Sequence, residues 1–251
     1  MNVTPISMSR RDDHYIVNLI ASLDAVAPNT ILNIHDGACS DQTNVLDIWV
    51  EDDLVVDSGV VGAGGLDTGV LIADATYYVL VLGDSSGYNI PAGMITLDPL
   101  VPIMPQGYDC WRVVDVKFTD AAVHFIASTT TGTQSIRRFT YDAPIAVLTA
   151  TGAAAFTTVL LTDIVAPIGS PIVEFIATIV PIAAADTLIL RPTSATGNYA
   201  TMSGSVIAVP KTTDLTCPAD SSTGYATVDY VTNGAGTAIA SLSVKSFTFN
   251  L

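Results

Sequence analysis

The sequence predicts an all-β protein, arranged as two β-sandwich or jelly-roll-like domains with a short N-terminal helix. Three observations lead there. The residues that usually cover exposed helices are nearly missing: Glu occurs only as Glu51 and Glu174, and Lys only as Lys117, Lys211 and Lys245. Thr, Val, Ile and Ser are abundant instead, which favours a pleated backbone. Apolar residues also recur with period two. Leu46, Ile48 and Val50 alternate with Asp47 and Trp49, Val114, Val116 and Phe118 with Asp115 and Lys117, and Val123 and Phe125 flank His124. Each set reads as a strand with one buried face. Finally, glycine and proline clusters at Gly62–Gly65, Gly83–Gly87, Pro91–Gly93 and Gly132–Thr133 punctuate these runs as turns.

The helix is expected near the N-terminus. Tyr15, Ile16, Leu19, Ile20 and Leu23 fall at helical spacing, Ser9 and Asp12 precede them as a capping pattern, and Pro28 follows. It reads as a packing element at the end of a β domain. The run Thr76 to Leu82 is apolar throughout, as in a strand covered on both faces. Composition shifts to Ala, Thr, Ile and Val beyond Ala143-Pro144, so the expected domains are 1–143 and 144–251. Strands are expected there at Phe156–Thr162, Ile172–Val180, Thr187–Arg191, Val206–Val209, Ala226–Val231 and Leu242–Leu251, with a turn at Asn233-Gly234. In the last strand the buried phase changes between Val244 and Phe247, which places a β-bulge near Lys245-Ser246.

Composition narrows the function. Apolar residues make up 49% of the 251 and charged residues 13%, a balance that belongs to an ordered chain. The mean hydropathy of +0.49 raises the question of a membrane span. The longest apolar region, Ile164 to Leu190, is broken by Pro167, Pro171, Glu174, Pro181 and Asp186 and does not read as a spanning helix. No signal peptide is read at the N-terminus. With 24 acidic and 9 basic residues the formal charge is −15, the wrong sign for neutralising nucleic-acid phosphates. Cys39, Cys110 and Cys217 are odd in number and widely spaced, which argues against a disulfide framework or zinc site and fits assembly in a reducing cytoplasm.

Three stretches occur in series: Gly37-Ala-Cys-Ser-Asp-Gln-Thr-Asn-Val-Leu-Asp-Ile48; Gly64-Gly-Leu-Asp-Thr-Gly69 followed by Ala73-Asp-Ala-Thr-Tyr-Tyr-Val79; and Pro105-Gln-Gly-Tyr108 before the strand from Arg112. Their order resembles a module of tail-fibre-like and other structural proteins of bacteriophage virions, across roughly residues 30–140. Tyr77 stands where that family usually has Trp, and Gln106 where it often has Ser. Phe156–Leu161, Leu190-Arg-Pro192 and the terminal aromatic strand resemble, more loosely, the β-sandwich that follows in such proteins. The resemblance implies a virion component on the particle exterior (a fibre, collar or head-decorating protein). It would be commonly oligomeric, with a homotrimer expected from the fibre-like members, and would bind neighbouring virion proteins. It implies no catalytic residue.

Several motifs invite chemical readings. Asp57-Ser58-Gly59 and Asp67-Thr68-Gly69 resemble aspartic-protease signatures, which need two carboxylates about 3 Å apart sharing a proton; Val70 departs from that pattern, and both read as turns. Gly83-Asp-Ser-Ser-Gly87 fits a nucleophile-elbow spacing around Ser85, but Tyr88-Asn-Ile-Pro91 cannot start the helix an elbow needs. The candidate bases are His14, His35 and His124. His35-Asp36 and Asp12-Asp13-His14 lack metal-site spacing, and Gly62–Gly65 is not a nucleotide-binding fingerprint. Trp49, on the outward face of its strand, and Trp111 suit either a subunit interface or a sugar platform. The sequence therefore predicts a non-enzymatic structural protein with no catalytic, cofactor or metal residues. A carbohydrate-binding adhesion module is the alternative, and an aspartic or serine hydrolase the third reading.

Overall fold

A computed structural model describes residues 15–133, 136–166, 171–183, 186–204, 208, 210–221, 226–233 and 238–251. The chain is all-β: among the described residues every regular element is a strand. The first ten strands are β1 (Ile16–Asn18), β2 (Ala21–Leu23), β3 (Ile31–Ile34), β4 (Gly37–Ser40), β5 (Asp47–Val50), β6 (Leu54–Asp57), β7 (Gly65–Leu66), β8 (Thr76–Gly83), β9 (Ala92–Thr96) and β10 (Cys110–Phe118). Nine follow: β11 (Ser128–Thr133), β12 (Ile136–Thr151), β13 (Thr157–Leu160), β14 (Ile172–Val180), β15 (Thr187–Pro192), β16 (Ala200–Ser203), β17 (Lys211–Pro218), β18 (Thr227–Asn233) and β19 (Ile239–Asn250). They form five sheets, ordered β1-β4-β5, β2-β3-β6, β10-β8-β9-β7, β11-β12-β19-β14-β17 and β13-β18-β15-β16.

The expected N-terminal helix is not formed over residues 15–23; Ser9 and Asp12 lie outside the described residues. Ile16–Asn18 pairs with β4 and Ala21–Leu23 with β3. Between the two strands Asn18 and Leu19 take left-handed backbone angles, φ 58° and 53°. This two-residue corner brings Ile16, Leu19 and Ala21 to the inside. A broken strand thus reproduces the spacing of an amphipathic helix, and pairing with two waiting edges decides the outcome.

The first three sheets enclose one core, made by Ile16, Leu32, Ile34, Ile48, Val50, Val56, Val79, Val81 and Val114 among others. Strand β8 is buried along nearly its whole length, as its unbroken apolar run predicts. Tyr77, Val79 and Val81 enter this core, whereas Leu80 and Leu82 meet Met94 in a separate small cluster. The five- and four-stranded sheets share the larger core. Val173, Phe175, Ala177 and Ile179 of β14 line it, with Leu188 and Leu190 of β15, Val228 and Tyr230 of β18, and Leu242, Val244, Phe247 and Phe249 of β19. Phe118 from β10 joins it edge-on to Phe139 and Phe247, at ring-centroid distances of 5.2 and 5.8 Å. The apolar stretch of β14 is therefore half core, with its alternate residues turned outward.

The bulge read near Lys245-Ser246 is present. Glu174 pairs with Ser246 but Phe175 with Val244, so Lys245 is the extra residue. That slip lets Val244 and Phe247 share one face, and Lys245 bonds Glu174 and Asp214 outside. Ala143 and Pro144 lie inside β12, where pairing to β19 skips from Thr140 to Ile145; proline has no N–H to donate there.

Two strand readings need correction. Val123–Phe125 is a reversal, with Val123 at φ 65° and its turn tied by Asp120; Phe125 makes an isolated bridge to Thr119. β3, β4, β6, β7, β9, β11, β12, β16 and β17 have no counterpart among the expected strands, and Val206–Val209 lies mainly outside the described residues. Asp115 and Lys117, taken as the solvent face of their strand, are fully buried.

Candidate functional site

The sequence motifs build turns. Asp41, in the first of the three serial stretches, is buried, and its carboxylate accepts bonds from the Val45 and Leu46 amides (2.8 and 3.0 Å) and the Thr43 hydroxyl (2.6 Å). Burial works against its ionisation, but these bonds outweigh it and hold its pKa below the ordinary carboxylate value. Asp57 accepts from the Gly59 amide at 2.8 Å, and Asp67 from the Thr96 hydroxyl at 2.8 Å. No hydrogen bond joins the two carboxylates. Asp57 is occupied by its own turn, and Asp67 by Thr96 of β9 and the Ile103 amide, so the dyad geometry is not assembled between them.

The Gly83–Gly87 segment is likewise organised by its aspartate. The Asp84 carboxylate collects the Ser86 hydroxyl (2.6 Å) and amide (2.8 Å), the Tyr88 and Asn89 amides (3.1 and 2.9 Å) and the Asn89 side chain (2.8 Å). Led by Ser86, these bonds hold its pKa far below the ordinary value. Ser85 donates its hydroxyl to Asp109. The described histidines are engaged elsewhere: His35 Nδ1 lies 3.1 Å from Asp53 and His124 Nδ1 4.0 Å from Asp120. His14, Asp12 and Asp13 lie outside the described residues.

One array was not anticipated. Ser22 Oγ lies 3.3 Å from His35 Nε2, whose Nδ1 faces Asp53. The order is that of a nucleophile, a base and an orienting carboxylate. It depends on the β2–β3 register and on the loop before β6, which sequence spacing cannot show. Asp53 is half exposed, whereas the carboxylate that orients a serine-hydrolase histidine is buried.

The most developed surface feature is the connection from β9 to β10, residues 97–109, which crosses the outer side of the β10-β8-β9-β7 sheet. Inwardly, Met104 and Tyr108, with Trp111 of β10, cover Leu80, Leu82 and Met94. Outwardly, Leu100, Val101 and Ile103 are 82, 74 and 59% exposed. The crossing is stiff. Asp98 accepts from the Leu100 and Val101 amides, the Ile103 amide donates to Asp67, and Trp111 Nε1 donates to the Pro99 carbonyl at 3.4 Å. Pro99, Pro102 and Pro105 fix φ at three further points. The Tyr88–Ile90 loop is tied to it through Tyr108 Oη to the Ile90 carbonyl (3.0 Å) and Asn89 Nδ2 to the Gly107 carbonyl (2.9 Å). Gly107 sits at φ +90°, and a Cβ there would lie 2.7 Å from Asn89 Nδ2 and displace that side chain. Tyr88 and Ile90 are also exposed.

On β5, Trp49 points outward as its phase predicts. It is the cross-strand neighbour of Ala38, which in turn pairs with exposed Val17. Trp111 instead lies half-covered beneath the crossing, with its amide donating to Gln42.

A cleft of about 340 Å³ lies where the start of β8 meets the loop after β13. Asp74, Thr76, Tyr78, Ile72 and Leu97 line one side, and Thr162, Asp163 and Val165 the other. Asp74 and Asp163 both have left-handed backbones, φ 47° and 58°. Burial, together with the charge of Asp74, pushes the Asp163 carboxyl above its ordinary pKa.

Burial pushes the thiols of Cys39 and Cys217 up to about 12 and that of Cys110 up to about 11, so all three are protonated near neutrality. Among the described residues no three His, Cys, Asp or Glu side chains converge on a possible metal position. No helix among them is long and apolar enough to cross a membrane. No family model matches the chain, and the comparison with characterised protein sequences finds no match.

Proposed function

We propose that this protein is a structural subunit of a bacteriophage-like virion, an exterior accessory component that acts by docking to neighbouring proteins and to further copies of itself. The observation that carries this reading is the 97–109 crossing. It exposes Leu100, Val101 and Ile103 on a segment fixed by three prolines and by hydrogen bonds. Apolar side chains held rigidly in water cost little further entropy when covered, the condition for a protein contact. The three serial motifs add to it: the first two hold turns between strands, and the third is the end of the crossing itself. On this reading the five- and four-stranded sheets around the second core form a β-sandwich, the protein is a homotrimer, and it is assembled in the host cytoplasm without cofactor or catalysis. The test is mass spectrometry of purified particles from the source, followed by locating the chain in a particle map. Absence of the chain from intact particles defeats the proposal. Light scattering on the purified protein tests the trimer separately.

The cleft favours a second reading, carbohydrate binding for host adhesion. Carboxylates, hydroxyls and the Tyr78 ring around about 340 Å³ suit a sugar unit. A glycan array, with Asp74→Ala as the control, decides between the two readings.

A further inference from the structure

The net charge is divided unequally along the chain. Residues 15–135 hold fifteen Asp and Glu against two basic residues, Arg112 and Lys117, a formal balance of −13. Residues 136–251 hold seven acids against five bases, a balance of −2. Arg112 and Lys117 are both buried. The described surface of residues 15–133 therefore exposes carboxylates and no Lys or Arg side chain. The exposed, braced apolar residues Leu100, Val101 and Ile103 lie on this same part. Asp98 is exposed at one end of the crossing and Asp109 at the other, with Asp84 tied in through Asn89.

We infer that the 97–109 crossing is a docking surface for a cationic protein surface with an apolar centre, and not for a second copy of this chain. The inference rests on the docking reading above and names its partner. Apolar area supplies the attraction, and the surrounding charge selects the occupant. Two copies meeting crossing to crossing would set the Asp98 and Asp109 of one against those of the other, with no Lys or Arg from the described surface of residues 15–133 to separate them, and like charges across an interface are destabilising. A Lys- or Arg-bearing surface meets Asp98 and Asp109 favourably, and its approach is accelerated by the anionic field. Self-association is left to residues 136–251, where Arg138 and Lys245 share Glu174 and the charge is nearly balanced.

The experiment uses the full chain and two synthetic amphipathic helical peptides with the same leucine face, one with lysine and one with glutamate on the polar face. Binding is followed by fluorescence anisotropy at low and moderate salt. The lysine peptide is expected to bind, and to weaken as salt rises. The variant Leu100→Ser/Val101→Ser/Ile103→Ser is expected to bind it at least tenfold more weakly, with an unchanged circular dichroism spectrum because these side chains make no core contact. The glutamate peptide is expected not to bind. Equal binding of the lysine peptide to wild type and variant, or equal binding of both peptides, overturns the inference. So does a sedimentation shift showing a wild-type dimer that the variant loses, since the occupant is then a second copy. The parent reading fails differently, by absence of the chain from particles, whatever the peptides do.

Discussion

Asp115 and Lys117, two residues apart on β10, form an ion pair 3.1 Å long with both side chains removed from water. Every acceptor position of the carboxylate is used: by the Ala21 amide of β2, the Val116 amide, the Lys117 ammonium and the Thr130 hydroxyl of β11. Lys117 also donates to Thr130 and lies 5.3 Å from the centre of the Phe139 ring. The pair therefore stitches β2, β10, β11 and β12 together. Such a pair specifies the arrangement more than it adds stability, because two ions have been desolvated. Removing one partner is another matter. Lys117→Met is expected to cost about 3–5 kcal/mol by leaving an unpaired buried carboxylate. Asp115→Asn/Lys117→Met is expected to cost less than Lys117→Met alone. Urea melts of the two variants check this, and a double variant worse than the single one would show that the bonds to Ala21, Val116 and Thr130 hold the carboxylate even without Lys117.

The bulge at Lys245 and the two-sided burial of β8 were legible because each depends on hydrophobic phase alone. The buried pair was not. Asp115 and Lys117 alternate with apolar residues as a solvent face would, and only the arrival of β2 and β11 converts that face into interior. β11 (Ser-Thr-Thr-Thr-Gly-Thr) and β17 (Lys-Thr-Thr-Asp-Leu-Thr-Cys-Pro) were missed because both lie at sheet edges, where a strand needs little apolar alternation. The 97–109 crossing falls between the expected strands, and only Pro105-Gln-Gly-Tyr108 of it stands out in the sequence. That it carries its exposed apolar residues on a braced support follows from the packing of Met104, Tyr108 and Trp111 beneath it, which no spacing rule reports.

The glycines of the second motif should differ in cost. A Cβ on Gly65 would sit 2.1 Å from the Val60 carbonyl oxygen, a backbone atom that cannot yield. Gly69, at φ +73°, has nothing within 4 Å and demands only a left-handed backbone. Gly65→Ala is expected to destabilise by about 2 kcal/mol or more through overpacking, and Gly69→Ala by about 1 kcal/mol through strain. Equal thermal shifts for the two would show that β7 relaxes around the added methyl.

The hydrolase reading has a direct check. Asp57 is bonded within its turn, Asp67 by Thr96 and Ile103 and Ser85 by Asp109, and the Ser22–His35–Asp53 array is open to water at its carboxylate, where an orienting charge is screened. A fluorophosphonate probe is expected to label wild type no faster than the Ser22→Ala or Ser85→Ala variants. Pepstatin-sensitive cleavage lost in Asp57→Asn or Asp67→Asn, or labelling lost in either serine variant, would make the protein an enzyme.

Asp163 should make stability fall with rising pH. Burial and the neighbouring Asp74 raise its carboxyl pKa in the folded protein, while a bond from Thr76 works more weakly the other way. The folded state then holds the proton more tightly than the unfolded chain. Between the unfolded value, near 3.8, and the raised folded value, each increment of pH removes stability, and the full penalty persists above that window. Asp163→Asn removes the charge and keeps a side chain that tolerates the left-handed backbone at φ 58°. The variant is expected to melt higher than wild type at pH 7, with the difference shrinking as pH falls toward 4. A melting-temperature difference that is constant across this range, or a variant less stable at pH 7, would mean that Asp163 is anchored by its hydrogen bonds more than it is burdened by its place in the cleft.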